Sequence, residues 1–193
     1  IPAIKSMLNL SLYELGKGVP QSAVGMFCIL PLLSSIPLDT AYNMVTRSDY
    51  PSYGYMLKLN ATTLWESWFY SNNTYSHNHP MFSSVVVWMF RYLGGINQAS
   101  HSVGWSHIIL RPRCPCETPS LPGVNISLNT VRGKIVSNWT RSYNKNGDTF
   151  TWSFSIPYGS IGFVDIIGKE VYKIQAGEYK LENINICSVE HST

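Results

Sequence analysis

The chain has 193 residues, a net charge of +3 and only 13% charged residues, about half of the usual share in soluble domains. Apolar residues make up 45% of the sequence, which is enough to build a buried core and excludes a disordered chain. The basic residues are scattered, so we expect no nucleic-acid partner. The longest apolar run, residues 23–33, contains Pro31 and is much shorter than the roughly 20 residues of a membrane span, so we expect no membrane partner.

Helical periodicity dominates the first hundred residues. Apolar residues at helical spacing predict helices at residues 4–15 and 21–33, and the second is apolar on nearly every side. Residues 39–45 predict a third helix with Asp39 as its N-cap, followed by an aromatic, turn-rich loop at residues 50–55. A helix that is apolar all round needs neighbours all round, so we expect partner helices that this chain does not contain.

Two more helices are predicted before the pattern changes. A short helix begins at Thr63. A long buried helix covers residues 81–93, with Pro80 at its start, where a missing N–H group costs nothing. Gly94 and Gly95 end this helix.

The second half of the chain has the two-residue period of β-strands. Apolar residues alternate strictly from Phe150 to Ile156, and Asn146-Gly147 just before them is a typical hairpin turn. Further strands are predicted at residues 107–110, 133–139, 161–167 and 179–181. Regularly spaced short strands are typical of a β-sandwich. We therefore predict an α+β chain, with a helical domain at residues 1–99 and a β-sandwich at residues 100–193.

The cysteines and glycosylation sequons give information about the cellular compartment of the protein. Cys28 lies in an apolar helical run and is predicted to be a buried free thiol. Cys114 and Cys116 are too close in sequence to pair easily with each other, and either can pair with Cys187. We predict no metal and no cofactor. Asn-x-Ser/Thr sequons begin at Asn9, Asn60, Asn72, Asn125 and Asn138, about twice the number expected by chance, and they predict a secreted glycoprotein.

Glu66 lies between two tryptophans, in the run Thr62-Thr63-Leu64-Trp65-Glu66-Ser67-Trp68. Desolvation by tryptophan can adapt a carboxylate for acid–base catalysis, and tryptophan faces stack on sugar rings. The same residues fit a capping box, in which Glu66 accepts a hydrogen bond from the backbone N–H of Thr63. The local pattern alone favours the cap.

His77-Asn78-His79-Pro80 is the second candidate for chemistry. Two histidines on one side of an extended segment can bind a metal or hydrogen-bond a polyol, but no third metal ligand stands at a suitable spacing. The alternative is that His77 or Asn78 caps the helix that begins at Pro80. Tyr53-Gly54-Tyr55 is also open to two interpretations, a glycine turn among packed aromatic side chains or one wall of a sugar site.

Four segments of the chain carry distinctive motifs that follow one another in a fixed order and register. They are Tyr50-Pro51-Ser52-Tyr53-Gly54-Tyr55-Met56-Leu57, Ala61-Thr62-Thr63-Leu64-Trp65-Glu66-Ser67-Trp68, Ser76-His77-Asn78-His79-Pro80-Met81-Phe82-Ser83-Ser84-Val85 and Arg91-Tyr92-Leu93-Gly94-Gly95-Ile96. Together they resemble the family 78 α-L-rhamnosidases. Gly104-Trp105, the run Ile108-Ile109-Leu110-Arg111-Pro112 and the later Gly177-x-Tyr179 are similar to strands of that family's C-terminal domain. The resemblance is dense from residue 39 to residue 112.

The resemblance implies a partial (α/α)6 six-hairpin toroid followed by an antiparallel β-sandwich. It implies inverting hydrolysis of terminal α-L-rhamnose from a rhamnose-containing glycoside or polysaccharide. In such a reaction one carboxylate activates water and another, about 6.5–9.5 Å away, protonates the leaving oxygen. Glu66 matches the general base, and His79 matches a histidine that contacts rhamnose. The other predicted substrate-binding residues are Trp65, Tyr53, Tyr55 and Asn78.

The sequence also departs from the family pattern. Asn60 stands where glycine is usual and creates a sequon beside the predicted base, Tyr53 replaces a tryptophan, Ser83 replaces a common glycine, and the loop from Trp68 to His79 is short. None of Glu14, Asp39 and Asp49 matches the general acid, which we expect in the upstream remainder of the same polypeptide. We therefore expect the chain to be the C-terminal part of a larger enzyme and to be inactive alone. A carbohydrate-binding relative without catalysis, and a six-hairpin glycosidase with another sugar preference, are the alternatives.

Overall fold

A computed structural model describes residues 38–116, 121–143 and 147–187. The chain divides into two compact units, one containing residues 40–85 and the other containing residues 38–39 together with the described residues from Val86 onward. The two helices predicted before residue 34, with Cys28, lie outside the described residues. In the described part of the chain, no helix is long and apolar enough to cross a membrane.

The first two helices differ from the prediction at their starts. Helix α1 covers Leu38–Thr46, so Asp39 lies inside its first turn and the predicted N-cap role is wrong. An acidic residue is still favourable there because its negative charge is attracted to the partial positive charge at the N-terminus of the helix. The Asp39 carboxylate also accepts a hydrogen bond from the backbone N–H of Cys116, at 2.9 Å from N to Oδ2.

Helix α2, Tyr53–Lys58, occupies part of the segment predicted as a loop. Ser52 is its N-cap, and the Ser52 hydroxyl accepts a hydrogen bond from the backbone N–H of Tyr55 at 3.0 Å. A Cβ atom on Gly54 would lie 2.3 Å from the carbonyl oxygen of Arg47, so glycine is required for this close approach. The segment is therefore a capped helix with a tight backbone contact rather than a turn.

The helix predicted at residues 81–93 is present but irregular. It consists of a 3-10 turn at Pro80–Ser83, helix α3 at Ser84–Trp88 and a π-helical turn at Met89–Leu93. Pro80 begins it as predicted. The prediction of a buried helix is only partly correct, because Val86 and Val87 are 46% and 44% exposed.

The two glycines end this helix as predicted. The backbone N–H of Gly94 donates to the carbonyl of Met89 at 2.9 Å, and Gly95 has a φ of +71°. A Cβ atom on Gly95 would lie 2.1 Å from the nitrogen of Pro112. Gly95 is therefore required both by its left-handed backbone and by a close neighbour.

The described residues of the second unit contain eight strands. They are β1 (Ile96–Gln98), β2 (His107–Leu110), β3 (Gly123–Thr130), β4 (Gly133–Ser142), β5 (Thr149–Ile156), β6 (Ile161–Val164), β7 (Tyr172–Ile174) and β8 (Gly177–Ile184). The two four-stranded sheets have the orders β1-β2-β6-β7 and β3-β4-β5-β8. All neighbouring pairs are antiparallel except β2 and β6, which are parallel. The predicted strands are confirmed, although β6 ends earlier and both β4 and β8 are longer than expected.

One apolar core lies between the two sheets. Trp139 on β4 and Trp152 on β5 are directly paired across the strands, and both are fully buried. The first sheet contributes Ile96, Ile108, Leu110 and Val164, and the second contributes Ile135, Phe150, Phe154 and Ile156. The strict alternation seen in the sequence follows from this two-layer arrangement, since every second side chain of β5 points into the core. Trp105 is partly buried against the same cluster.

Buried side chains of β4 bind the end of the preceding helix. The indole N–H of Trp139 donates to the carbonyl of Leu93 at 2.7 Å, and the hydroxyl of Ser137 donates to the carbonyl of Gly94 at 2.6 Å. Ser137 in turn accepts a hydrogen bond from the indole N–H of Trp152 at 3.0 Å. Because the last carbonyls of a helix have no partner within it, these bonds satisfy groups that would otherwise be buried unpaired.

Candidate active site

Two segments that are ten residues apart in sequence lie side by side in the first unit. The backbone N–H of Glu66 donates to the carbonyl of Ser76 at 2.9 Å, and the backbone N–H of His79 donates to the carbonyl of Leu64 at 2.8 Å. The hydroxyl of Thr63 donates to the carbonyl of His77. These bonds bring the predicted base and the predicted sugar-binding histidine to the same place.

The helix and the capping box predicted at Thr63 are wrong. Residues 61–75 contain bends but no helix. The Oε2 atom of Glu66 accepts its hydrogen bond from the backbone N–H of Ser76 at 2.9 Å, not from that of Thr63. The carboxylate is therefore anchored by the second segment, and its role as a local cap is excluded.

Glu66 and His79 form the polar centre of this arrangement. Their closest atoms are Oε2 of Glu66 and Nδ1 of His79, at 3.8 Å. The side chains are 36% and 27% exposed, so both reach solvent. A partly exposed carboxylate with one oxygen held by a backbone N–H can accept a proton from a water molecule on its open side.

Trp65, which precedes Glu66 in sequence, packs among other aromatic rings. Trp65 is only 4% exposed, and its ring centroid lies 5.3 Å from that of Tyr70 and 5.5 Å from that of His77. The Nε2 atom of His77 is buried without a hydrogen-bond partner among the described residues. Trp65 therefore packs within the unit in this structure, and its contact with a sugar stays a prediction.

A second aromatic group fixes the position of Tyr53. Its hydroxyl donates to the carbonyl of Phe82 at 2.7 Å, and its ring centroid lies 5.1 Å from that of the buried Trp68. Burial raises the pKa of Tyr53 above its ordinary value. Tyr53 also lines a cleft of about 260 Å³ whose other walls are Met56, Leu57, Ala61, Thr62, Thr63 and Leu64. Glu66 is not part of this lining.

The remaining predicted binding residues differ in exposure. Asn78 is exposed, and its backbone N–H donates to the hydroxyl of Ser76 at 3.1 Å. Neither His77 nor Asn78 caps the next helix: the N-cap is His79, which makes no side-chain capping bond. Tyr55 packs edge-on against Tyr50, with ring centroids 5.2 Å apart. The substrate contacts of Tyr55 and Asn78 stay predictions.

The backbone explains one departure from the family pattern. Asn60 has a φ of +61°, in the left-handed region that glycine adopts freely. Asparagine is among the few other residues that adopt it at modest cost. The side chain is exposed, and the backbone N–H donates to the carbonyl of Leu57 at 3.0 Å. Asn60 can thus replace glycine without changing the turn that precedes Glu66.

The other carboxylate described in this unit, Asp49, has a different environment. Arg47 Nε donates to Asp49 Oδ1 at 2.9 Å, and a second guanidinium nitrogen contacts Oδ2. Hydrogen bonds from Arg47 lower the pKa of Asp49 to about 2. A general acid needs the opposite shift, so Asp49 is poorly suited to protonate a leaving group. The described residues also contain no group of three or more His, Cys, Asp or Glu side chains arranged for a metal ion.

Sequence reasoning missed the residues that hold the site together. Ser76 anchors Glu66 through its backbone, and Thr63 holds the second segment through its hydroxyl. Neither contact has a local sequence signal, because each joins residues at least ten positions apart. The joint presence of the glutamate and histidine motifs, in order, was the only indication that their segments meet.

Two family models match the chain in succession. The bacterial alpha-L-rhamnosidase 6 hairpin glycosidase domain matches residues 12–93, and the bacterial alpha-L-rhamnosidase C-terminal domain matches residues 95–180. A six-hairpin domain followed by a β-sandwich defines a class of glycosidases. Within that class, the chain belongs to the α-L-rhamnosidase family.

Individual relatives agree with this assignment. An alpha-L-rhamnosidase of Streptomyces avermitilis is 30% identical over 120 residues, which are 58% of this chain and 11% of the relative. One from Formosa agariphila is 30% identical over 123 residues, which are 61% of this chain and 12% of the relative. The chain thus spans about a tenth of the length of these curated relatives.

Solved structures show the same fold. The alpha-L-rhamnosidase from Dictyoglumus thermophilum has a TM-score of 0.78 and 27% identity, covering 94% of this chain and 23% of that chain. The one from Aspergillus terreus also has a TM-score of 0.78, with 23% identity, covering 94% of this chain and 21% of that chain. The predicted fold, part of a six-hairpin domain followed by a β-sandwich, is confirmed.

Proposed function

We propose that this chain supplies part of the catalytic domain and the C-terminal domain of an α-L-rhamnosidase, in which Glu66 activates water for inverting hydrolysis of terminal α-L-rhamnosides. The observation that carries the proposal is the pairing of residues 63–66 with residues 76–79, which holds Glu66 Oε2 at 3.8 Å from His79 Nδ1 at a solvent-accessible position. The substrate class is supported by the relatives, which are named alpha-L-rhamnosidases.

The proposed reaction proceeds by a single displacement. The Glu66 carboxylate accepts a proton from a water molecule while the water oxygen attacks the anomeric carbon. The bond from that carbon to the leaving oxygen breaks, and a second carboxyl group protonates the leaving oxygen. The backbone N–H of Ser76 keeps Glu66 oriented, and His79 hydrogen-bonds a hydroxyl of the bound rhamnose.

We place the general acid in another part of the same polypeptide. Among the carboxylates described in residues 40–85, Asp49 is paired with Arg47, and Glu66 is assigned as the base. Asp39 belongs to the other unit and is hydrogen-bonded to Cys116, and Glu14 lies outside the described residues. The 193-residue chain alone is accordingly expected to hydrolyse no aryl α-L-rhamnoside, and wild-type-like turnover by the purified chain would contradict this assignment.

The test of Glu66 uses the intact protein and a chromogenic aryl α-L-rhamnoside. Glu66→Gln keeps the size of the side chain but removes the base, so kcat is expected to fall by about 10²–10⁴-fold. Asp49→Asn is the control, because it alters an exposed carboxylate that the proposal does not use. Proton NMR of the first-formed sugar is expected to show inversion at the anomeric carbon. An unchanged kcat in Glu66→Gln would refute the role of Glu66.

The second candidate function is carbohydrate binding without catalysis, and two observations favour it. Asn60 is an exposed sequon residue a few positions before Glu66, and the loop between Trp68 and His79 is short. Rhamnose binding without turnover by the intact protein would favour this candidate. Turnover of another aryl glycoside in a panel, in preference to the rhamnoside, would instead indicate a related glycosidase.

We also propose that the protein is secreted and N-glycosylated. The support is the excess of sequons, of which Asn60, Asn72 and Asn125 are exposed. Asn9 lies outside the described residues. Treatment of the natural protein with a peptide N-glycosidase is expected to lower its apparent mass and convert occupied asparagines to aspartates. An unchanged mass would contradict glycosylation.

A further inference from the structure

Three cysteines gather in the second unit, whereas the candidate active site belongs to the first unit. Cys114 and Cys187 form a parallel β-bridge outside the named strands, and the backbone N–H of Cys114 donates to the carbonyl of Ile186 at 2.9 Å. The thiol of Cys114 donates to the carbonyl of Pro115 at 3.3 Å, and that of Cys116 donates to the carbonyl of Cys114 at 3.7 Å. All three are free thiols in this structure.

A buried cation adjoins this cluster. The guanidinium of Arg141 lies with Nη1 at 3.8 Å from the sulfur of Cys114, and its Nη2 donates to the carbonyl of Cys116 at 3.3 Å. Only 3% of the Arg141 side chain is exposed, and its Nε donates to Asp148 at 2.7 Å. A nearby positive charge stabilises a thiolate, which is the nucleophile in disulfide exchange.

The same surroundings act differently on the three thiols. Hydrogen bonds from Cys114 and then Cys116 lower the pKa of Cys187, an effect that desolvation opposes and Arg141 supports. Those same bonds raise the pKa of Cys114 and of Cys116. The thiolate form is therefore favoured at Cys187 and disfavoured at its two neighbours.

We propose that Cys114 and Cys187 form a disulfide bond and that Cys116 remains a thiol. The two residues are direct partners in a parallel bridge, where neighbouring backbones lie about 4.8 Å apart. That spacing is within the range of about 4.4–6.8 Å between the Cα atoms of a disulfide. Cys116 is two residues further along, in a bend, and it is not the bridge partner of Cys187, so its backbone is not placed directly opposite Cys187.

The bond forms by exchange with a small-molecule disulfide such as oxidised glutathione. The Cys187 thiolate attacks one sulfur of that disulfide, forms a mixed disulfide and releases one small thiolate. The sulfur of Cys114 then attacks Cys187 in the mixed disulfide, and its proton leaves with the second small thiol. Two protein thiols are oxidised, and one small disulfide is reduced to two thiols.

The bond would join the residues that follow β2 to the residues that follow β8. Strands β3 to β8 would then lie inside a closed covalent loop. Because such a loop restricts the unfolded chain, oxidation is expected to raise the melting temperature of the protein by at least about 5 °C. The sandwich would be the part of the protein that the bond stabilises.

The test is peptide mapping of the purified chain after equilibration with oxidised and reduced glutathione at low protein concentration. Free thiols are alkylated before digestion with trypsin, which is expected to release residues 114–132 and residues 181–193. The expected product joins these two peptides, and fragmentation places the alkyl group on Cys116. A cross-link with the alkyl group on Cys114, or alkylation of all three cysteines under oxidising conditions, would overturn the proposal.

A cysteine variant tests the choice of disulfide partner independently of the digest. Cys116→Ser removes the thiol that the proposal leaves free, so the glutathione ratio at half-oxidation is expected to stay within about threefold of that of the wild type. A decrease of tenfold or more in the stability of the bond in Cys116→Ser would show that Cys116 is the true partner. The melting temperature of the wild-type chain, with and without reductant, provides the second readout.

Discussion

The Oε2 atom of Glu66 lies 3.8 Å from Nδ1 of His79, although the two residues are thirteen positions apart in sequence. Backbone hydrogen bonds between residues 63–66 and 76–79 hold this relationship, so it does not depend on the two side chains alone. In the proposed mechanism His79 binds rhamnose and Glu66 acts on water. The two residues should therefore affect different kinetic constants.

His79→Ala in the intact protein is expected to lower kcat/KM for an aryl α-L-rhamnoside by about 10–100-fold, mainly through KM. The reason is the loss of one or two hydrogen bonds to the sugar, each contributing about 0.5–1.5 kcal/mol, or more when charged. Steady-state kinetics of His79→Ala and Glu66→Gln separate the roles. His101→Ala is the control, since His101 is an exposed histidine of the other unit. A fall in kcat equal to that of Glu66→Gln would show that His79 acts in the chemical step.

Tyr53→Phe is expected to destabilise the intact protein by about 0.5–1.5 kcal/mol at pH 7. It removes the hydroxyl that donates to the carbonyl of Phe82, and it leaves that carbonyl without this donor. Urea unfolding measures the change. Tyr158→Phe, which alters a tyrosine that is 93% exposed, is the control and should change stability by less than about 0.5 kcal/mol.

The same variant tests the raised pKa of Tyr53. Because burial raises this pKa in the folded state, the folded protein keeps a proton that the unfolded chain releases. The contribution of the neutral tyrosine is complete below the ordinary tyrosine pKa of about 10 and is lost as the pH rises above it. The stability difference between wild type and Tyr53→Phe should therefore shrink between pH 9 and pH 11. A difference independent of pH would contradict the shift.

The β-sandwich was predictable because its sequence signal is local. Each inward residue from Phe150 to Ile156 is two positions from the next. Successive side chains of a strand point to opposite faces of the sheet, so a strand with one buried face has this period. The ends of helices were harder. Ser52 caps α2 and makes the segment helical, but its signal is masked by the tyrosines and the glycine that follow it.

The failure at Thr63 has a different physical cause. Thr63 and Glu66 have the spacing of a capping box, and both side chains do make hydrogen bonds to the backbone. Their partners are His77 and Ser76, which are distant in sequence, so tertiary pairing replaces the local helix. Only the resemblance to a family could indicate that these segments meet.

Ser137→Ala is expected to destabilise the second unit by about 2–4 kcal/mol. The change removes the donor to the carbonyl of Gly94 and the acceptor of the indole N–H of Trp152, and so leaves two buried polar groups unpaired. Chemical unfolding followed by tryptophan fluorescence measures the loss. Ser127→Ala is the matched control, because Ser127 is an exposed serine on the neighbouring strand. Equal effects of the two substitutions would show that the buried bonds contribute little.

Alkylation of Cys187 in the fully reduced chain should persist at a lower pH than that of an ordinary cysteine. A lowered pKa means that the thiolate, which is the form that reacts with iodoacetamide, remains populated as the pH falls below about 8.5. The first cause of the shift is the hydrogen bond from Cys114, so Cys114→Ala is expected to move the midpoint of the rate profile to higher pH. Cys116→Ala should produce a smaller displacement, because its hydrogen bond is the second cause. Rates are measured by mass spectrometry of the peptide containing Cys187 between pH 4 and pH 10. A midpoint near 8.5 in the wild type, unchanged by Cys114→Ala, would show that the neighbouring thiol does not stabilise the thiolate.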